Sequence, residues 1–278
     1  MFAAEKLIKM ALEEDLGSGD VTTLSTVPPG TVTRALVKAK QECTACGLQV
    51  MGLVFRTLDA SLKVEARVND GDRIEAGDTL LAVTGNAASI LMAERVALNF
   101  VQRLCGIATL TADFVVAVAD YSAEIVDTRK TTPGWRSLEK YAVQVGGARN
   151  HRHGLFDGIL IKDNHIRAAG TITDAVNFAR ALAPHGLKIE VEAATLDEVR
   201  EAARCGAEII LLDNMGMAEL EEAVALVRAE FPTIKLEASG GITLERVAAV
   251  AATGVDFISV GALTHSAPAI DISLDLVA

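Results

Sequence analysis

Six times between residues 127 and 261 a short β-like run ends in residues able to do chemistry. Asp127-Thr-Arg129-Lys130 follows Ala123-Glu-Ile-Val, and Lys162-Asp-Asn-His165 follows Gly158-Ile-Leu-Ile. Glu190-Val-Glu192 comes after Leu187-Lys-Ile, and Asp213-Asn214 after Ile209-Ile-Leu-Leu. Ser239-Gly-Gly241 closes Ile234-Lys-Leu-Glu-Ala, and Gly261-Ala262 closes Phe257-Ile-Ser-Val. The later markers lie about 20 to 30 residues apart, roughly one βα unit each. In an α/β barrel the carboxyl ends of the strands surround the active site. The order of residues, basic first, acidic next and glycine turns last, predicts a pocket for an anion together with a metal and a phosphate.

Charge placement supports a focused anion site. The chain carries a net charge of −11, yet Asp127 to His165 holds seven lysines and arginines against four acids, and three of the five histidines. An acidic chain with 4% aromatic residues is a poor nucleic-acid binder, which needs basic stripes and stacking rings. No uninterrupted apolar run reaches the roughly 18 residues of a membrane span. The opening Met1-Phe-Ala-Ala-Glu-Lys lacks the features of a secretion signal, so a cytoplasmic location is expected. Cys43 and Cys46 form a single CxxC with no second pair to complete a zinc site, so buried or incidental thiols are expected.

Ahead of the repeating half, residues 3–16 read as an amphipathic helix. Thr31–Lys40 and Leu62–Val68 read as strands around a helix over Gly47–Leu58. Two further helices are expected, about Ala87–Leu104 and about Leu110–Asp120, and Arg95 and Asn99 lie one turn apart on the first. Thr171-x-x-Asp174 and Thr195-x-x-Glu198 have the form of capping boxes. Ala269–Ala278 alternates enough for a last strand, returning to the first domain.

Arg129 and Lys130 are adjacent, so both serve one site only if the strand has ended before them. The glycine-flanked segment Gly146–Gly154 carries Arg149, His151, Arg152 and His153, and the planar fork of arginine suits carboxylates. Glu192 and Asp213 close consecutive strands and offer hard oxygen ligands for magnesium shared with substrate. That placement separates them from the basic cluster. Ser239-Gly240-Gly241 and Gly261-Ala262, after the last two strands, suit phosphate binding through backbone N–H groups, with Thr243 opening a helix.

These motifs together resemble the quinolinate phosphoribosyltransferase family. The likeness rests on Glu94-Arg95, Cys105–Thr109, Asp127-Thr-Arg-Lys-Thr131, Lys140-Tyr-Ala142, Asn150-His-Arg152, Leu160–His165, Leu212-Asp-Asn214, Ser239–Ile242 and Val260–Ser266, and covers nearly the whole chain. It implies an N-terminal α/β sandwich over residues 1–105, with a strand at 267–278 returning to it. An incomplete α/β (TIM-like) barrel of the type II phosphoribosyltransferase kind follows over 106–266. It also implies homodimers or larger assemblies with shared sites, and transfer of a phosphoribosyl group to quinolinate with decarboxylation. Carried over by position, Arg129, His151, Arg152 and Lys162 surround the two quinolinate carboxylates, with Arg95 lent by a second subunit. Lys130, Glu192 and Asp213 serve the ribose, pyrophosphate and Mg2+ of phosphoribosyl pyrophosphate. Ser239, Gly240 and Gly261 hold its 5-phosphate, with His265 nearby, and Lys130, Lys162, Glu192 and Asp213 form the catalytic set. Departures from the family pattern are Ala148 in the glycine run, Ala193-Ala194 after Glu192, and Trp135. Rival readings are a paralogue linked to molybdenum transport and a nucleotide-binding protein without turnover. The first shares Asp127-Thr-Arg-Lys130 but differs where this chain has Asn150-His-Arg152 and Lys162–His165.

Overall fold

The computed structural model describes residues 2–277, with side chains from residue 4. The chain divides into two compact units: Met1–Ala112, Thr131–Gly147 and Leu263–Ala278 form one, Asp113–Lys130 and Ala148–Ala262 the other.

The first unit opens with helices α1 (Phe2–Leu16) and α2 (Val21–Thr26), strands β1 (Val32–Ala39) and β2 (Cys43–Thr44), and helix α3 (Leu48–Leu58). Strands β3 (Lys63–Ala66), β4 (Arg73–Ile74) and β5 (Thr79–Asn86) lead into helix α4 (Ala87–Ala117). β1 buries every second residue from Ala35 onward, the two-residue period of a sheet with one covered face. The covering helices contribute Ile8 and Leu12 of α1 and Met51, Val54 and Phe55 of α3 to the buried core. The sheet order is β12-β1-β5-β3, and β12 (Ile272–Val277) pairs antiparallel with β1, Ala39 opposite Ile272. Cys43, Cys46 and Cys105 are free buried thiols.

Two helices were expected where α4 runs unbroken for 31 residues. Gly106, between the two expected helices, lies in close packing: a Cβ there would lie 1.9 Å from the Pro268 carbonyl oxygen. α4 is also long and apolar enough to cross a membrane, unlike the short runs read from the sequence, and half of its most apolar stretch is buried. Ile90, Ala93, Ala97, Val101, Leu104 and Ala108, all fully buried, mark it as a core helix.

The second unit is built of βα repeats. Strands β6 (Glu124–Val126), β7 (Ile159–Ile161), β9 (Ile209–Asp213), β10 (Lys235–Ser239) and β11 (Phe257–Ser259) fall on expected runs, whereas β8 (Ile189–Ala193) starts at the last residue of its run and takes in Glu190 and Glu192. Helix α5 (Arg136–Val145) belongs to the first unit; α6 (Asp163–Ala169), α7 (Ile172–Leu182), α8 (Leu196–Arg204), α9 (Met217–Glu230) and α10 (Leu244–Ala252) belong to the second. The short α11 (Ala262–His265) follows β11. All six strands are parallel, in the order β6-β11-β10-β9-β8-β7. β6 and β7 are the two edges, so the barrel is incomplete between them. Thr195 and Glu198 form a full capping box at the start of α8. Thr171 does half as much for α7, accepting from the Asp174 N–H at 3.0 Å.

Candidate active site

β6 ends at Val126, so Asp127 to Lys130 have left the strand and turn freely. Arg129 and Lys130 therefore border one cavity of about 340 Å³ at the carboxyl ends of the strands, with His151, Arg152, Lys162, Asp213 and Ser239 around it. Seven residues read from the sequence thus converge. Gly240 follows Ser239 directly, and Gly261 lies two residues beyond the end of β11. Arg95 and His265 belong to the other unit. Arg95 is exposed on α4; His265, exposed at the end of α11, places Nδ1 2.6 Å from Ser266 Oγ.

The cavity wall is strongly cationic. The Arg152 guanidinium donates through Nη1 to the Gly158 carbonyl at 3.0 Å, while its Nε is buried with no partner. Burial first, and the neighbouring Arg129 charge second, depress the Arg152 pKa below its ordinary value. Two guanidinium groups close enough for one to depress the pKa of the other make a site that an anion stabilises. On the far side Lys162 Nζ meets Glu192 Oε2 at 2.5 Å. This corrects one expectation: Glu192 is not apart from the basic cluster but neutralises one member of it. β7 and β8 are sheet neighbours, which local sequence cannot reveal.

Asp213 closes β9 beside Ser239 in the parallel register. Its Oδ2 accepts from Asn214 Nδ2 at 2.9 Å, leaving Oδ1 without a hydrogen bond among the described residues. Asn214 has a φ of 55°, and its N–H donates to the Ser239 carbonyl at 2.9 Å. Gly240, at φ 97°, packs flat on it, where a Cβ would come within 2.1 Å of Asn214 Oδ1. Gly241 also has positive φ, and Thr243 caps α10 with no side-chain hydrogen bond. Backbone N–H groups of such a turn and helix start suit a phosphate.

Beneath the cavity lies a group the sequence reading passed over. Glu190 of β8 and Glu237 of β10 are both buried, with Oε2 atoms 3.1 and 3.7 Å from His151 Nε2 and Oε1 atoms that find no partner. Burial first, then the Glu190 charge, push the Glu237 carboxyl up to about 8. The signal was available: Glu237 is a charged residue inside Lys235-Leu-Glu-Ala-Ser, and alternate strands of a barrel point side chains into one interior layer. A second cavity of about 660 Å³, reaching Lys188 and Ile209 at the amino ends of the strands, also borders His151, Arg152, Glu190 and Glu237.

A histidine and two glutamates within 4.8 Å of one another have the composition of a metal site. The tautomer argues otherwise. The Arg152 backbone N–H donates to His151 Nδ1 at 2.7 Å, so Nδ1 carries the lone pair and the ring proton sits on Nε2. A metal-bound imidazole commonly has the reverse arrangement, donating its second N–H outward.

The chain matches known proteins over nearly its whole length. The family described as "Quinolinate phosphoribosyl transferase, N-terminal domain" matches residues 20–105, and its C-terminal counterpart matches 107–275. A probable nicotinate-nucleotide pyrophosphorylase (carboxylating) of Synechocystis is 46% identical over 268 residues, covering 96% of this chain and 90% of the relative. The Mycobacterium leprae nicotinate-nucleotide pyrophosphorylase (carboxylating) is 46% identical over 277 residues, covering 99% and 97%. The solved nicotinate-nucleotide pyrophosphorylase of Francisella tularensis superposes with a TM-score of 0.94 at 40% identity, covering 99% of this chain and 96% of that one.

Proposed function

The chain belongs to the quinolinate phosphoribosyltransferase family, and from that premise we propose that it transfers the phosphoribosyl group of phosphoribosyl pyrophosphate to quinolinate with decarboxylation. The products are nicotinate mononucleotide, pyrophosphate and CO2, a step of de novo NAD synthesis. The observation that carries this reading is the cationic wall of one cavity. Arg129 and Arg152 border it together with Lys162, which Glu192 pairs, and the two guanidinium groups alone carry more positive charge than a single carboxylate neutralises. Quinolinate, a planar dicarboxylate, matches that charge and the planar guanidinium fork.

Arg129 and Arg152 hold the ring so that its nitrogen faces ribose C1, and the 5-phosphate seats on the turn Ser239-Gly240-Gly241. Holding both reactants replaces a bimolecular encounter with a positioned one. As the C1–O bond to pyrophosphate breaks, Lys130 stabilises the charge on the leaving oxygens. The pyridine nitrogen then bonds to C1. Its resulting positive charge accepts the electron pair left at C2 when the 2-carboxylate departs as CO2, and C2 takes up a proton. The residues fit a divalent cation: Asp213 has an oxygen free of hydrogen bonds, and Glu192 closes the neighbouring strand. Two hard carboxylate donors are too few for a complete shell, which suits magnesium shared with substrate oxygens. When bound, the ion supplies charge neutralisation at the pyrophosphate. A cytoplasmic homodimer in which Arg95 reaches the cavity of a second subunit belongs to the same proposal.

The test is turnover by purified protein with magnesium, phosphoribosyl pyrophosphate and quinolinate labelled in the 2-carboxylate, against nicotinate. Labelled CO2 is expected only with quinolinate. Nicotinate leaves cationic side chains unmatched, at a cost of roughly several kcal/mol where they are desolvated. Equal turnover of the two acids sinks the reading.

A further inference from the structure

Glu190, His151 and Arg152 form a continuous chain of contacts that ends on the cavity wall. His151 donates its backbone N–H to Asp127 Oδ1 at 2.8 Å, and Asp127 is fully buried. Its ring Nδ1 accepts the Arg152 N–H at 2.7 Å, and its Nε2 reaches Glu190 Oε2 at 3.1 Å. Both ring nitrogens are thus engaged by protein groups, although His151 borders the cavity. We propose that Glu190 is a positioning residue for quinolinate: it holds His151 as the neutral Nε2–H tautomer, and the ring in turn fixes the Arg152 main chain and guanidinium. This rests on the reading of the cavity as the quinolinate site.

Donor and acceptor roles require that tautomer. A backbone N–H can only donate, so a proton on His151 Nδ1 would set donor against donor at 2.7 Å. An imidazolium is excluded for the same reason, despite two glutamates close by. Moving the proton from Nε2 to Nδ1 would cost the Arg152 hydrogen bond and turn a bare Nε2 lone pair toward the Glu190 carboxylate 3.1 Å away. Glu237 lies beyond hydrogen-bond reach at 3.7 Å and, holding its proton near neutral pH, leaves Glu190 as the acceptor facing Nε2–H.

Arg152 needs such a support. It lies in the segment between β6 and β7, which meets β6 through an isolated bridge of Arg149 to Val126, three residues short of Arg152. Its guanidinium is anchored through Nη1 to the Gly158 carbonyl, within the same segment. Glu190 on β8 ties the segment to the rigid sheet through the His151 ring. A carboxylate held by a misplaced arginine no longer presents its ring nitrogen to ribose C1, and about 1 Å of misplacement costs on the order of 100-fold in rate.

The experiment joins two measurements on the full chain. Two-bond 15N–1H correlation spectra of 15N-histidine-labelled, substrate-free protein report the tautomer of each ring, with His151→Gln identifying the His151 signal. Steady-state kinetics of Glu190→Ala, Glu190→Asp and Glu190→Gln with each substrate varied report the effect on binding. The wild-type His151 ring is expected as Nε2–H with no charge near pH 7. Glu190→Ala should raise the KM for quinolinate at least about tenfold and leave that for phosphoribosyl pyrophosphate unchanged. Glu190→Gln, whose amide oxygen accepts the same N–H, should restore most of the loss. If the alanine variant does not fold, Glu190→Asp, one methylene shorter, carries the same split. An imidazolium or Nδ1–H ring, equal effects on both KM values, or a glutamine variant as impaired as alanine overturns the proposal. The spectra need no substrate, so a wild-type protein that fails to turn over quinolinate refutes the functional reading separately.

Discussion

Replacing Glu237 by glutamine removes a titration that the native fold shifts strongly. Burial and the Glu190 charge raise this carboxyl from 4.5 to about 8. Because the folded pKa is the higher one, the native state holds a proton that the unfolded chain gives up. The contribution to stability is complete below pH about 4.5 and is lost as pH rises towards 8. Each pKa unit corresponds to about 1.4 kcal/mol, so the full window is worth up to roughly 5 kcal/mol. The side chain is almost wholly buried, so solvent screening does not reduce this much. Glutamine keeps the shape and cannot ionise. Urea unfolding of both proteins from pH 5 to 9 should therefore show the variant gaining on the wild type by about 1 kcal/mol per pH unit up to pH 8, then levelling. Titrations common to both proteins cancel in the difference. A constant difference across that range would show that Glu237 is ionised in the fold already at pH 5, and would refute the argument from burial and like charge.

Two further outcomes follow from the site. Gly240→Ala places a methyl group 2.1 Å from Asn214 Oδ1 at a φ of 97°, so it should destabilise by about 1 to 3 kcal/mol and weaken phosphoribosyl pyrophosphate far more than quinolinate, read by melting and calorimetry. Arg95→Ala and Lys162→Ala should each be nearly inactive, and mixing them after subunit exchange should restore activity, since one site of the heterodimer then receives both intact residues; proven heterodimers without activity would place Arg95 outside the partner's site.

The strands and their chemistry were legible in the sequence because both are local. A run such as Ile209-Ile-Leu-Leu, stopped by Asp213-Asn214, specifies a buried parallel strand and the end at which polar residues emerge, whatever surrounds it. The capping box at Thr195 and Glu198 is equally local, since its hydrogen bonds span three residues. The departure of Arg129 and Lys130 from β6 could be anticipated from the geometry of adjacent residues. Tertiary structure decided what depends on distant partners. Residues 87–117 read as two helices until the single helix α4 forms, with the Pro268 carbonyl seated where Gly106 lacks a side chain. Glu192 reads as lying apart from the cations until β7 and β8 pair and bring Lys162 to within 2.5 Å. The surroundings of the His151 ring are unreadable until strands β8 and β10 bring two buried glutamates to its Nε2, while the next residue occupies Nδ1. Proton position and charge are properties of an environment, and that environment is assembled from strands that only the folded sheet brings together.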